Sequence, residues 1–429
     1  MAVVLLIVGL GIGMVFGPAV SPPSAPPAQT ITLTVTETET VMVEEAAKEY
    51  LIGLAIAVSG GYSVDGPRRR NAAILAIDEM NMLLENSGSP VRFNWIHEDT
   101  KSTAEGAIAA VPKLAAAGVQ IIVGPLATSE TKAIMDFVNS RKIVAISPSS
   151  TGTAARVKDD FVFRMAPPDV YQAPAIARIA WEVGIRNLVI LARNDDYGKG
   201  LADGVEETFK NLGGNVVNLL YDYTQPDLSA DVERASTAVA NFGEPDKTGV
   251  LVIGFDETVK IYDRARLDPV LSEVRWFGND AVKRPTFLPP DAKEEIAEFQ
   301  LTVKLIGTAP ARGPEDNPVV KRFIENYVDR FGEKPSLYSY YSYDAAMVAM
   351  LTVLSAGVYS GEVFKQILPS VAMKYFGVTG WKLLDEYGDS ASPVYDIWTV
   401  VKKPDGTWDF ETVGFYDGAT GAITFYEMV

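Results

Sequence analysis

Two short loops in this chain concentrate side chains able to hold an anion. One follows the apolar run VQIIVG (119–124) and reads PLATSET, carrying Thr128 and Ser129; the other follows KIVAIS (142–147) and reads SPSSTGT, carrying Ser149, Ser150 and Thr151. Hydroxyls donate and accept hydrogen bonds, and a helix that starts just beyond such a loop offers unpaired N–H groups. Two loops of this kind at strand ends therefore make a pocket suited to a carboxylate. Any one hydroxyl is better explained as the cap of its own helix, and Thr128 or Ser129 is the expected cap here. Coincidence at two strand ends is what points to a ligand. A second group has the opposite character: LARNDDYGKG supplies Asp195, Asp196 and Tyr197, VIGFDETVK supplies Phe255 and Asp256, and WFGNDAV supplies Asp280. Acidic and aromatic groups facing hydroxyls across a cleft match a solute with a carboxylate at one end and an ammonium at the other. Read without a ligand, Asp195 and Asp280 are solvated loop carboxylates or caps, and Tyr197 is core.

Composition narrows the chemistry. The 429 residues carry 55 acidic against 38 basic side chains, a formal charge of −17, and show no basic stripe interleaved with aromatics, so nucleic acid is not an expected partner. Without cysteine there is no disulfide, thiolate nucleophile or zinc–thiolate site, and a single histidine, His97, cannot build a multi-histidine metal centre. No metal or cofactor is expected. AVSGG (57–61) lacks the first glycine of a nucleophile elbow, and His97 lies too early in the chain to complete a triad; it reads as a loop or cap residue. GLGIGMVFG lacks the third glycine of a dinucleotide motif. An enzyme is not the expectation.

The elements that must position these residues follow from hydrophobic pattern. YLIGLAIAV, VRFNWI, VQIIVG, KIVAIS, NLVILA, NVVNLLYDY, GVLVIG and EVRWFG are continuous apolar runs, as strands are when helices cover both sheet faces. Helical periods separate them, among them GPRRRNAAILAIDEMNMLLE, TAEGAIAAVPKLAAAG, SETKAIMDFVNS and GKGLADGVEETFKNLG. The βαβα order predicts α/β architecture with parallel, doubly wound sheets, and the number of strands predicts two Rossmann-like lobes. FRMAPPDVYQ reads as the first crossing between them. Residues 1–20 form an uncharged apolar run long enough to cross a bilayer, read as a signal or membrane anchor although no Lys or Arg precedes it. Residues 21–48, Pro-rich and then Thr-rich, read as a linker that holds the globular body off a membrane. The expected location is outside the cytoplasm, tethered to the outer face of the cell membrane or secreted.

LAIAVSGGYSVDGPRRRNAAILAIDEMN, VRFNWIHEDTKSTAEGAIAAVPKL, the segment from VQIIVGPLATSET through ISPSSTGTAARV, FVFRMAPPD, NDDYGKGLADGVEETFKNLGGNVV and YSYDAAMVAM resemble, in order and spacing, the branched-chain amino acid (leucine/isoleucine/valine) binding proteins of ABC importers. These are type I periplasmic binding proteins, the leucine-binding domain family, and the likeness runs from about Glu49 onward. It implies two lobes joined by a three-strand hinge, lobe 1 from 49–168 plus 307–378 and lobe 2 from 169–306 plus 379–429, closing on one solute. It further implies a monomer that delivers its ligand to an ABC permease. A ligand-sensing receptor domain of the same fold, or a different small solute such as an amide or aromatic carboxylate, is the alternative. By resemblance, the ligand carboxylate falls to Thr128, Ser149, Ser150 and Thr151, next to the loop hydroxyl of Ser129, and the ammonium to Asp280. Tyr197 closes over it, and Phe255, Asp256 and Tyr343 complete the site. The family commonly has Ser at the position of Thr128 and Glu at that of Asp280. Asp65 stands where relatives often place an aromatic lining the side-chain pocket, which favours a polar or larger side chain over branched aliphatic ones. The lipobox cysteine of some relatives is absent, so the apolar peptide itself is the expected anchor.

Overall fold

The computed structural model describes residues 48–426; the expected anchor and nearly all of the linker lie outside them. The first lobe opens with parallel strands β1 (Lys48–Ala55), β2 (Val91–Glu98), β3 (Ile121–Val123), β4 (Val144–Ser147) and β5 (Val162–Arg164). They are threaded by helices α1 (Asp65–Asn86), α2 (Ala104–Ala116) and α3 (Thr128–Arg141). The chain then crosses at Met165–Pro168 and builds the second lobe from α4 (Asp169–Glu182), β6 (Asn187–Arg193), α5 (Asp196–Asn211), β7 (Asn215–Tyr221), α6 (Ser229–Phe242), β8 (Thr248–Ile253), α7 (Thr258–Ala265), β9 (Arg275–Gly278), α8 (Glu294–Thr302) and β10 (Ile306–Pro310). It returns to the first lobe for α9 (Pro318–Phe331), α10 (Leu337–Ala356), α11 (Gly361–Met373) and the small hairpin β11 (Phe376–Gly377) and β12 (Gly380–Trp381). A third crossing leads to β13 (Val394–Lys402), β14 (Trp408–Asp417) and β15 (Ala422–Phe425) on the edge of the second sheet.

The sheets run in the order β2-β1-β3-β4-β5 and β15-β14-β13-β10-β9-β8-β6-β7. All eight apolar runs singled out in the sequence are strands, and β3, β4, β6 and β8 are buried along their whole length because helices lie on both faces. The antiparallel strands β13 to β15 alternate too weakly for the sequence to have marked them.

The two later crossings fall elsewhere than at 307 and 379. Ile306–Pro310 pairs in parallel with β9 and antiparallel with β13, so it belongs to the second sheet and the return comes after Pro310. At the other end, Asp389 bridges to Arg164 of β5 and receives both Nε and Nη2 of its guanidinium at 2.6 Å, which keeps residues 379–390 on the first lobe. A buried ion pair made across 225 residues of sequence leaves no local signature. His97 also differs from expectation: it lies within β2, and its Nε2 is 2.8 Å from the Ile56 carbonyl oxygen.

Candidate functional site

The first lobe brings the two hydroxyl loops together at the carboxyl ends of β3 and β4. Ser147 ends β4, donates to the Pro125 carbonyl at 2.5 Å and accepts from the Ser150 N–H at 3.0 Å, folding one loop back on the other. Ser149 Oγ donates to the Leu126 carbonyl at 2.9 Å, and Thr128 Oγ1 accepts the Gly152 N–H at 3.0 Å and the Ser150 hydroxyl at 3.4 Å. A Cβ on Gly152 would stand 2.7 Å from Thr128 Cγ2, so glycine is what permits this approach. Neither Thr128 nor Ser129 caps α3. The N-cap is Ala127, whose N–H is taken by the Glu130 carboxylate at 2.8 Å, and Glu130 also accepts the Thr100 hydroxyl at 2.5 Å. That substitution of cap leaves the Thr128 hydroxyl to the loop. Ser129 is half-buried beside it and does not line the cavity.

The second lobe meets this surface with Asp280, placed by the turn that follows β9. Tyr197 donates to Asp280 Oδ1 at 3.0 Å, Tyr338 donates to Oδ2, and Asn279 Nδ2 donates to the Tyr197 oxygen at 2.5 Å. Burial first, and the Asp280 charge second, push both phenols well above the ordinary tyrosine range, so they remain donors at any physiological pH. Tyr197 is positioned by Asp195, which caps α5 by accepting the Gly198 N–H at 2.8 Å and pairs with Arg193 at 2.6 Å. Asp195 is thus a cap. The Tyr197 ring stacks on Phe255 at 5.3 Å between centroids, and Phe255 lies 5.2 Å from the Tyr62 ring.

Between the lobes these groups line a narrow cavity of about 10 Å³, walled by Thr128, Ser149, Thr151, Tyr197, Phe255 and Asp280 and by polar and aromatic residues the sequence reading missed: Tyr62, Arg69, Arg284 and Tyr338. Arg69 sits in the run RRR (68–70) and Arg284 in VKRP, where a cation reads as a solvated charge; both are almost fully buried. Arg69 donates Nε to Asp65 at 2.6 Å and Nη1 to Ser149 at 2.8 Å, and its guanidinium lies over the rings of Tyr62 and Tyr338. Arg284 donates to Asp256 at 3.1 Å, faces Asp65 at 3.9 Å and covers the Tyr62 ring from 4.8 Å. Burial alone would raise the Asp65 carboxyl, but Arg69 and Arg284 hold it below its ordinary value. Asp65 and Asp256 therefore stand behind the cavity wall as counter-charges to arginines, rather than in the lining where Asp65 was expected. Ser150 is buried behind the lining as well.

Tyr343 is not at the cavity. Its hydroxyl donates to Glu79 at 2.6 Å and its ring packs on Phe323, while Tyr338 takes the inward place. Five residues on a helix turn the side chain by about 140°, so the α10 run LYSYYSYDAA can send only some of its tyrosines to the cleft. A wider groove, lined by Ile185, Thr248, Arg275 and Lys304, opens at the opposite end of the second sheet, away from the carboxyl strand ends where open parallel sheets bind ligands.

Two α/β lobes, joined by three chain crossings and lined at their junction by polar groups from both, define a two-lobed solute-binding protein. The profile of the periplasmic binding protein family matches residues 49–395, and the chain belongs to that family. It is 29% identical over 408 residues to an uncharacterised protein of Methanocaldococcus jannaschii, covering 90% of this chain and 94% of that one. A leucine binding protein of Thermotoga maritima superposes with a TM-score of 0.70 at 23% identity, covering 84% of this chain and 97% of that one. A solute binding protein of an ABC transporter from Rhodopseudomonas palustris, in complex with 4-hydroxybenzoate, gives 0.74 at 16% identity over 86% and 97%.

Proposed function

We propose that this protein captures an α-amino acid, or a close analogue keeping both charged ends, outside the cytoplasm and delivers it to an ABC importer. The observation that carries this reading is the opposition, across one cavity, of the hydroxyl loops of lobe 1 and Asp280 of lobe 2. Thr128 and Thr151 present hydroxyl donors to a carboxylate, beside Ser149, whose own hydroxyl is given to the Leu126 carbonyl. Asp280 accepts two phenols, and a carboxylate has about four acceptor positions, so an ammonium can still be received there. The name of the Thermotoga relative, a leucine binding protein, agrees with an amino-acid ligand. A second reading, an aromatic carboxylate, is favoured by the rings of Tyr62, Tyr197, Phe255 and Tyr338 around the cavity and by the hydroxybenzoate bound to the Rhodopseudomonas protein. Calorimetry on ligand-stripped protein separates them. On the first reading amino acids bind and their decarboxylated or deaminated analogues bind far more weakly; tight binding of a benzoate, a neutral amide or a sugar, indifferent to Asp280→Ala, overturns it.

A further inference from the structure

The cavity lining holds two guanidiniums, Arg69 and Arg284, and one carboxylate, Asp280, while Asp65 and Asp256 stand behind the wall as the arginines' counter-charges. They come from opposite lobes: Arg69 from α1, and Arg284 from the turn after β9. Each lies 4.8 Å from the centroid of the Tyr62 ring. Their states differ. Arg69 is engaged by Asp65 and by Ser149, a hydroxyl of the carboxylate-binding face. Arg284 is 3% exposed, has one hydrogen bond to Asp256, and its Nε has no hydrogen-bond partner, lying 3.9 Å from Asp65 Oδ2. A buried guanidinium donor without an acceptor carries the full cost of its desolvation, and a charged acceptor is what restores it.

Building on the reading of the ligand as an α-amino acid, we infer that the ligand bears a second anion and that Arg284 is its specificity-determining partner. The α-carboxylate falls to the Thr128, Ser149 and Thr151 face, the ammonium to Asp280, and the side-chain carboxylate to Arg284 beside Tyr62. The ligand class is an acidic amino acid. A neutral side chain of the same length would leave the Arg284 donor unmet, so the site discriminates by that unmet donor as much as by attraction.

The test compares L-glutamate and L-aspartate with their isosteres L-glutamine and L-asparagine, with L-leucine, and with glutarate and succinate, by calorimetry on the full ligand-stripped chain. The acidic amino acids are expected to bind roughly ten- to a hundredfold tighter than their amides, and Arg284→Gln to close that gap from both sides, weakening the acids and relieving the unmet donor that penalises the amides. Arg284→Lys, which keeps the charge, retains part of the preference, and the wild-type comparison stands even if neither variant folds. Leucine or the amides binding as tightly as the acids overturns the inference and leaves the amino-acid reading in place. Glutarate or succinate binding tightly, sensitive to Arg284→Gln, with no amino acid bound, supports the second anion and overturns the ammonium at Asp280. Binding of none of these ligands overturns both.

Discussion

Asp280 is held by two phenols, one from each lobe, and Asn279 in turn orients the Tyr197 hydroxyl, so its carboxylate is fixed before a ligand arrives. A charge-assisted bond from a buried ammonium to such a group is worth about 2–4 kcal/mol, and Asp280→Ala is expected to weaken amino-acid binding roughly 30- to 1,000-fold in calorimetry. Thr128→Ala removes one neutral acceptor and donor whose neighbours remain, and a loss of only roughly fivefold is expected. Glu130 makes a different prediction because it lies just behind the hydroxyl loops. Burial, opposed by the Thr100 hydroxyl and the Ala127 N–H, pushes its carboxyl from the ordinary 4.5 up to about 7. Between those values the folded protein holds a proton that the unfolded chain has released, so this group's contribution to stability falls as pH rises through that window. Glu130→Gln removes the dependence. Denaturant unfolding of both proteins at pH 5 and pH 8 is expected to show wild type losing up to about 3 kcal/mol relative to the variant; parallel curves would mean that Glu130 stays charged throughout.

Helix α1 is the element that delivers Arg69 and Asp65, and it does so by starting directly against the exit of β1. A Cβ on Gly66 would lie 1.8 Å from the Ala57 carbonyl oxygen, a backbone atom that no rotamer change can move. Gly66→Ala is therefore expected to destabilise the fold by about 1–3 kcal/mol and to weaken ligand binding together with it, because the helix must slide and take Arg69 off Ser149. Unchanged affinity in a destabilised Gly66→Ala protein would show that the Arg69–Ser149 bond does not set the site. The same element shows how far the chain could be read from its sequence. Its boundaries, the strands flanking it and the hydroxyl loops beyond β3 and β4 were legible, because continuous apolar runs and strand-end hydroxyls are local features. Arg69 was not, since its burial depends on Tyr62, Ser149 and Tyr338 arriving from three other segments. Tyr338 was hidden among neighbouring tyrosines whose order along α10 does not reveal which faces the cleft. The lobe boundaries after β10 and before β13 were missed for the same reason, being fixed by strand pairing and by the Arg164–Asp389 pair.

At the scale of the whole molecule, the described residues fall in one compact unit, and a chain shortened to begin at Ala46 is expected to fold, unfold thermally at the same temperature as the full chain, and bind with the same affinity. Loss of folding in the shortened chain would give the preceding segment a structural role. Within that unit the lobes touch through groups that also line the cavity: Tyr338 of lobe 1 donates to Asp280 of lobe 2, and Asp65 of lobe 1 faces Arg284 of lobe 2. Such contacts favour the closed arrangement before ligand adds its own, and apparent affinity scales with the fraction of molecules already closed. Tyr338→Phe keeps the ring under Arg69 and removes only the hydroxyl. A hydrogen bond to a charged acceptor is worth about 1.5–3 kcal/mol, so the ratio of closed to open molecules is expected to fall roughly ten- to a hundredfold. Three readouts then move together: by solution scattering the ligand-free variant has a larger radius of gyration than ligand-free wild type, the ligand-saturated radii coincide, and affinity drops. Equal radii in the ligand-free state, with affinity nonetheless reduced, would assign Tyr338 to direct ligand contact instead of closure.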